Sequence, residues 1–413
     1  MPSTSIVDNR WKAVAVNSFN KRQEERDPAV PVFGGVKQRF IQGFIWLTIL
    51  ILAFKTFKNP FSAITATRNL KRFRNNFRNG NHLNKLAGVG NRFFFTYNAP
   101  GWPSIAFNRY IIHQLKNNNE GIHNNSIHTL LFGITKKCGF KCEHCCEWDN
   151  LNKPEILSTD DLLEIVHRFQ QLGITQLQLS GGEPLNRFSD ILYLLDHAKK
   201  GTDFWILTSG YNLNKEKARE LKRYGLTGIT ISLDHCEEDS HDRFRGIPGS
   251  FKRALNAAAC AHEAGLAICF SICPTQSFIS KENLLRYAVL AKEMNASFIQ
   301  ILEPKAVGRY SNQPVTLTGS QIKILEKFYE QMNYTDDSLA QFPIISYHGY
   351  YSRRVGCAGS GKDYVYVDTD GDVHSCPFCR HKLFSALDDN LSINIHHLKQ
   401  KGCGSFNACL KTK

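Results

Sequence analysis

Beyond residue 128 short apolar runs alternate with longer segments whose apolar residues recur at helical spacing. The runs at 128–135, 175–180, 203–208, 228–232, 267–273 and 297–303 predict strands, several apolar and β-branched, as buried parallel strands are. Between them 159–172, 188–199, 214–223, 250–264 and 281–293 predict helices. Six β/α units in succession point to a parallel sheet, either a curved, incomplete barrel or a doubly wound sheet. In barrels of this kind the chemistry sits at the C-terminal ends of the strands.

Upstream the pattern changes. Residues 1–35 are polar and aperiodic, which predicts a flexible N-terminus. Residues 40–54 read FIQGFIWLTILILAF, with Arg39 and Lys55 at its flanks and Trp46 inside. The run is short of the roughly 20 residues of a spanning helix, but Lys55 and Lys58 can snorkel and extend it past Phe57. Residues 61–79 place Leu70, Phe73 and Phe77 on one helical face among Arg68, Lys71, Arg72, Arg74 and Arg78. That is the pattern of a basic amphipathic helix on an anionic membrane surface, spanning or in-plane insertion being left open; the alternative is a helix docked on the protein's own body. A cleaved signal peptide is not expected, because the apolar run begins too late. Residues 91–125, including FFFTYNAPGWPS, predict an irregular segment covering part of the body.

The chain has 413 residues, more than one ordinary core holds, and its 42% hydrophobic content suits neither a disordered chain nor a polytopic membrane protein. Its net charge of +14 is uneven: residues 1–125 carry 18 basic and 5 acidic residues, whereas the rest nearly balances. A uniformly basic nucleic-acid binder would look different, so nucleic acid is not an expected partner. Thirteen cysteines, an odd number with nine of them in two clusters, favour metal ligation in a reducing compartment over disulfides.

The first cluster follows the first strand: Cys138, Cys142 and Cys145 in a C-x3-C-x2-C loop, with Cys146 adjacent. Three thiolates on a four-iron cluster leave one iron open, and an open position marks a catalytic metal. A zinc loop is the alternative, although zinc cysteines usually come in pairs. After the second strand comes Ser180-Gly181-Gly182-Glu183-Pro184, after the third Thr208-Ser209-Gly210, and after the fourth Ser232-Leu233-Asp234.

Together these motifs resemble the radical S-adenosylmethionine superfamily over about residues 126–310. The resemblance implies that Cys138, Cys142 and Cys145 hold a [4Fe–4S] cluster whose open iron binds S-adenosylmethionine. It also implies reductive cleavage of that cofactor to a 5′-deoxyadenosyl radical, which abstracts hydrogen from a substrate. Gly181, Gly182, Glu183 and Pro184 look like the motif that binds the methionine amino group. Ser209 stands where Asn is usual. Ser232 is expected to help hold the cofactor carboxylate, with Arg253 on the next helix. His144 replaces the usual aromatic against the adenine; an ordinary core histidine is the plain alternative. Asp234 is a candidate for facing substrate or ribose, and Cys236 and Cys273 are candidate hydrogen donors, against the commoner role of small buried residues. Cys260 and Cys269 read as core. His241-Asp242-Arg243-Phe244-Arg245-Gly246 and Gly249-Ser250-Phe251 match a frequent family pattern; Ser250 is read as a helix N-cap. Glu303-Pro304 and Gly308-Arg309 resemble the link into a C-terminal domain.

The second cluster holds Cys357, Cys376, Cys379, Cys403 and Cys409. Alternating YVYVDTDGDVHS predicts a hairpin that returns Cys376 to Cys357. Asp368, Asp370 and Asp372 open like a calcium loop, but Val373 replaces the needed glycine, so calcium is rejected. The spacing resembles SPASM and, more closely, Twitch extensions, which implies an auxiliary [4Fe–4S] cluster with Cys403 or Cys409 as its last ligand; structural zinc is the alternative.

The expectation is therefore an α/β enzyme with an incomplete (β/α)6 parallel barrel, a small C-terminal iron–sulfur domain and a basic membrane-associating N-terminal segment. Its divisions are 1–35 (flexible), 36–80 (membrane-associating), 81–125 (irregular lead-in), 126–310 (radical core) and 311–413 (auxiliary domain). It is placed on the cytoplasmic face of a membrane, acting on a peptide, protein or lipid-like substrate with a flavodoxin- or ferredoxin-type reductant. A non-enzymatic iron–sulfur carrier or redox sensor, and a nucleic-acid-modifying radical enzyme, are the alternatives.

Overall fold

The computed structural model describes residues 31–78, 80–119, 127–379 and 381–403. The expectation of flexibility over residues 1–30, the side chain of Phe77 and the role of Cys409 lie outside the described residues.

Strands β1 (Val32–Gly34), β2 (Lys85–Val89) and β3 (Arg92–Phe94) form a small antiparallel sheet. The first of these corrects the reading of residues up to 35 as unstructured: Val32 pairs with Ala87, a partner far along the chain that no local pattern reveals.

The main sheet is built from β4 (Thr129–Gly133), β5 (Gln176–Ser180), β6 (Asp203–Thr208), β7 (Gly228–Ser232), β8 (Ala267–Ile272) and β9 (Phe298–Ile301). They lie side by side in chain order and all parallel. These six agree with the six predicted runs. The connecting helices also form where expected, at Thr159–Gln171, Phe188–His197, Lys215–Arg223, Ser250–Glu263 and Lys281–Glu293. Local chemistry sets their starts: Ser158 and Asp161 form a reciprocal capping box, and Asn214 and Ser280 cap the helices that follow them. The predicted N-cap Ser250 is corrected. It is the first helical residue, and Asp242 does the capping by accepting from the N–H groups of Gly249 (2.5 Å) and Phe251 (2.8 Å) and from the Ser250 hydroxyl (2.7 Å).

Four further strands come from the C-terminal hundred residues. β10 (Ile344–Tyr347) adds parallel to β9 at one edge. At the other edge β11 (Tyr364–Val367) pairs parallel with β4 and turns back through β12 (Asp372–His374) to β13 (Phe384–Ser385). The predicted hairpin is thus present, and it extends the main sheet.

The segment 91–125, expected to be irregular, is corrected: it opens on β3 and continues, after residues 95–104, into a helix at Ile105–Asn117 whose N-cap is Ser104, and its aromatic part plugs the N-terminal ends of the strands. Phe94 and Tyr97 are buried among Trp205, Ala267, Cys269, Phe298 and Ile344, which lie at strand starts. The Tyr97 hydroxyl lies 2.8 Å from that of Thr230, and Gln176 donates to the Tyr97 carbonyl (3.0 Å). Arg92 pairs with Asp203, the first residue of β6. The strands' other ends are left free for the motifs.

Candidate active site

Strand β4 delivers the chain into the loop 134–147 that carries the cysteine triple, and this loop is sewn down on both flanks. On one side the N–H of Gly182 donates to the Thr135 carbonyl (2.7 Å) and that of Glu183 to the Lys137 carbonyl (2.9 Å). On the other the N–H of Lys141 donates to the Arg245 carbonyl (3.2 Å) and that of Glu143 to the Phe244 carbonyl (3.0 Å). Asn152 brackets Cys138, accepting from its N–H and donating to its carbonyl, each at 3.0 Å. Gly181 and Gly182 make this seam possible. A Cβ on Gly182 would stand 2.5 Å from the Lys137 carbonyl oxygen, and one on Gly181 2.5 Å from that of Thr135.

Cys142 is buried, and Cys138 and Cys145 are half-buried. Burial pushes all three thiols up, Cys138 to about 11, and neighbouring thiols add to the rise at Cys138 and Cys145. Thiolates here need a positive partner, which metal ions supply outright. The protein supplies another, to which the sequence reading gave no site role: Arg245. Its guanidinium is buried, donates to Asp234 (3.2 Å) and lies over the Phe140 ring. Burial works against that charge, but Cys142 and Asp234 beside it hold its pKa above the usual value. Only the folding of the helix Glu238–Arg245 back onto the cysteine loop reveals this role.

The motifs at the ends of β5 and β6 meet in one contact. Glu183 is buried, with Oε1 accepting from the Thr208 hydroxyl (2.6 Å) and Oε2 from the Ser209 N–H (2.9 Å) and hydroxyl (2.5 Å). Burial raises its pKa, and these hydrogen bonds, Ser209 foremost, oppose the rise. Pro184 is buried and opens a short helical turn after it. Ser232 ends β7 in register with Ser271.

Among the eight buried side-chain polar atoms of the described residues that have no protein partner, two belong to residues expected to hold the cofactor and suit a bound ligand. One is Nδ1 of His144, whose ring stacks on Phe244 at 4.9 Å and whose pKa burial lowers to about 4. The other is Nη1 of Arg253. A neutral aromatic ring and a guanidinium nitrogen fit an adenine and a carboxylate.

The remaining candidates separate. Asp234 is committed to the fold: its carboxylate accepts from Arg245 and from the Cys273 N–H (2.9 Å), and its own N–H donates to His241 (3.1 Å). Cys273 is buried beside Asp234, Arg245 and Cys146, whereas Cys236 lies near the exposed Arg286–Glu237 pair. Cys260 and Cys269 are buried core residues. After β9, Glu303 accepts from Tyr347 and Arg353, each at 2.6 Å, and Arg309 returns to the cysteine loop through its N–H to the Cys145 carbonyl (3.0 Å).

In the second cluster, the Cys357 thiol contacts that of Cys403 and the Cys376 thiol that of Cys379. Burial raises the Tyr364 pKa, and all four thiols lie near enough to add to that rise. The three nearby aspartates are otherwise engaged: Asp368 with His374 (2.8 Å), Asp370 with Lys136, and Asp372 with Lys382 (2.7 Å). Among the described residues no group of three or more Cys, His, Asp or Glu side chains is drawn together around a single point.

Residues 132–286 match the model of the Radical SAM superfamily. A similar curated protein is the AdoMet-dependent heme synthase of Methanosarcina barkeri, 27% identical, with 62% of this chain and 78% of that protein covered. Another is the mycofactocin maturase MftC of Mycolicibacterium smegmatis, 27% identical over 68% of this chain and 76% of its own. Among solved structures, Streptococcus suis SuiB bound to its precursor peptide SuiA superposes with a TM-score of 0.54 at 14% identity, over 71% of each chain. The structure anSMEcpe with bound AdoMet superposes with 0.52 at 16% identity, over 66% of this chain and 82% of that one. At these identities the superpositions speak for the fold alone.

Proposed function

Because the chain belongs to the radical S-adenosylmethionine superfamily and carries an auxiliary C-terminal region, we propose that it abstracts hydrogen from a peptide or protein side chain. It is an enzyme whose cofactors are S-adenosylmethionine, a [4Fe–4S] cluster and an auxiliary cluster. Bound together, cluster and cofactor supply reductive cleavage of the sulfonium and a 5′-deoxyadenosyl radical as hydrogen abstractor.

Cys138, Cys142 and Cys145 hold the catalytic cluster, and Arg245 offsets negative charge behind it. Glu183, its carboxylate hydrogen-bonded by Ser209 and Thr208, accepts from the methionine ammonium. Arg253, with Ser232, receives the carboxylate, and His144 lies against the adenine. Cys357, Cys376, Cys379 and Cys403 hold the auxiliary cluster, and a flavodoxin- or ferredoxin-type protein delivers electrons. Around these sites the parallel sheet curls as an incomplete barrel. The observation that carries the reading is the meeting of the cysteine loop with Glu183–Ser209 and the unpartnered His144 and Arg253 nitrogens. An electron carrier needs none of these groups.

A peptide substrate is supported by the auxiliary cysteine set, whose spacing resembles the SPASM and Twitch extensions. The N-terminal helices support a second element of the proposal, attachment to the cytoplasmic face of a membrane, which would also admit a lipid-like substrate.

The test uses the full chain in mild detergent, reconstituted without oxygen, reduced with dithionite and given S-adenosylmethionine. 5′-Deoxyadenosine should form, and should vanish in the Cys138→Ala, Cys142→Ala, Cys145→Ala variant. Failure of the iron-loaded parent to bind the cofactor at all overturns the proposal.

A further inference from the structure

The helix Gly35–Phe57 is long and apolar enough to cross a membrane. One face of it, however, is committed to the protein. Ile41, Ile45, Ile49 and Ala53 are buried against Ala63, Ala66 and Leu70 of the helix Pro60–Phe77 and against Phe107, Ile111 and Leu115. Polar contacts fasten the same face: the Gln38 amide donates to the Leu83 carbonyl (3.1 Å), and the Trp102 indole donates to the Thr48 hydroxyl (3.0 Å). Arg74 lies over Trp46 and Phe95.

The opposite face is bare. Phe40, Phe44, Leu47, Ile51 and Phe54 are between 41 and 67% exposed. Their spacing places them along a single stripe of the helix. Phe61 and Ile64 continue the apolar surface at the start of the next helix. Lys37, Arg39, Lys55, Lys58, Arg68, Lys71 and Arg72 are exposed around it, and no acidic residue occurs between positions 28 and 119. An apolar stripe set in one unbroken sign of charge complements an anionic lipid surface.

We propose that this helix lies in the plane of the membrane, with the stripe Phe40–Phe44–Leu47–Ile51–Phe54 dipped into a single leaflet of an anionic bilayer and its other face kept in the protein core. This rests on the membrane attachment proposed above and decides its mode. A spanning helix would have to leave the packing of Ile41, Ile45 and Ile49. It would also strand the Gln38 and Trp102 hydrogen-bond partners, and unpaired polar groups are costly in hydrocarbon.

Two measurements on the full chain test it. Sealed inside-out vesicles from an expressing bacterium are treated with trypsin from outside. Cleavage at Lys12, Lys21, Arg22 or Arg26 is expected, because an in-plane helix leaves both of its flanks on the cytoplasmic side. Protection of that arm overturns the in-plane mode and leaves membrane attachment standing. In the second, purified protein is floated with vesicles of phosphatidylcholine alone or with phosphatidylserine added. Binding is expected only with the anionic lipid. Phe44→Glu with Leu47→Glu and Ile51→Glu should weaken it about tenfold or more while 5′-deoxyadenosine formation in detergent is unchanged. Unaltered binding by that variant overturns the stripe, and no binding by the parent to either vesicle overturns attachment itself.

Discussion

Tyr366, on the strand that extends the sheet beyond β4, donates its phenol to Glu147, 2.5 Å away and two residues past Cys145. A few residues upstream Lys136, buried beside the same loop, pairs with Asp370 in the hairpin turn. The hairpin that leads to Cys376 is thus tied at two points to the loop that carries the first cysteine triple. Tyr366→Phe should destabilise the protein by about 1–2 kcal/mol, measured by anaerobic thermal unfolding. It should also lower iron retention at the first site more than a surface Tyr211→Phe control does.

Ser209 hydrogen-bonds the Glu183 carboxylate and opposes the rise in its pKa that burial causes. Ser209→Ala removes the 2.5 Å hydrogen bond and lets burial raise the carboxyl further. A carboxylate is what attracts an ammonium, so binding weakens as pH falls through the raised Glu183 pKa. In the variant that weakening should begin at a higher pH, with S-adenosylmethionine affinity at neutral pH down about tenfold. Equilibrium dialysis across the pH range measures both.

Gly182→Ala drives a methyl to 2.5 Å from the Lys137 carbonyl and 3.1 Å from the Cys138 Cβ. Backbone cannot yield as a flexible side chain does, so the cysteine loop must shift, at a cost of roughly 1–3 kcal/mol. Iron at the first site should fall while the secondary structure seen by circular dichroism is kept.

Cys403 sits in the second set beside Cys357. Cys403→Ala should reduce reconstituted iron from about eight to about four per chain, whereas Cys409→Ala should leave it unchanged. Equal loss in the two variants would reject the assignment of Cys403.

His128 is half-buried with both ring nitrogens engaged, Nε2 on the Asn98 carbonyl (2.6 Å) and Nδ1 on the Thr175 hydroxyl (2.5 Å). Burial lowers its pKa to about 4, and that of His241 likewise. Below the unfolded value of about 6.5 the unfolded chain binds protons that these folded rings refuse. Stability contributed by the neutral rings is therefore present above that pH and lost progressively as pH falls towards 4. The urea midpoint should drop between pH 7 and pH 5, and less steeply in His128→Gln.

The sequence alone determined the β/α order, because each apolar run and each capped helix is written in neighbouring residues. It also determined the cysteine triple and the strand-end motifs, whose spacing is local. The tertiary structure decided what spacing cannot encode. Arg245 gains its place behind the cysteines only when its helix folds back on their loop. Gly181 and Gly182 prove to serve the seam between two loops as well as any ligand. Cys403 joins Cys357 from the end of a distant helix. The helix Gly35–Phe57 reads as apolar all round in one dimension, and only packing divides it into a buried face and a bare one. Contacts between residues distant in the chain depend on which surfaces meet, and hydrophobic burial is indifferent to the order in which those surfaces occur in the chain.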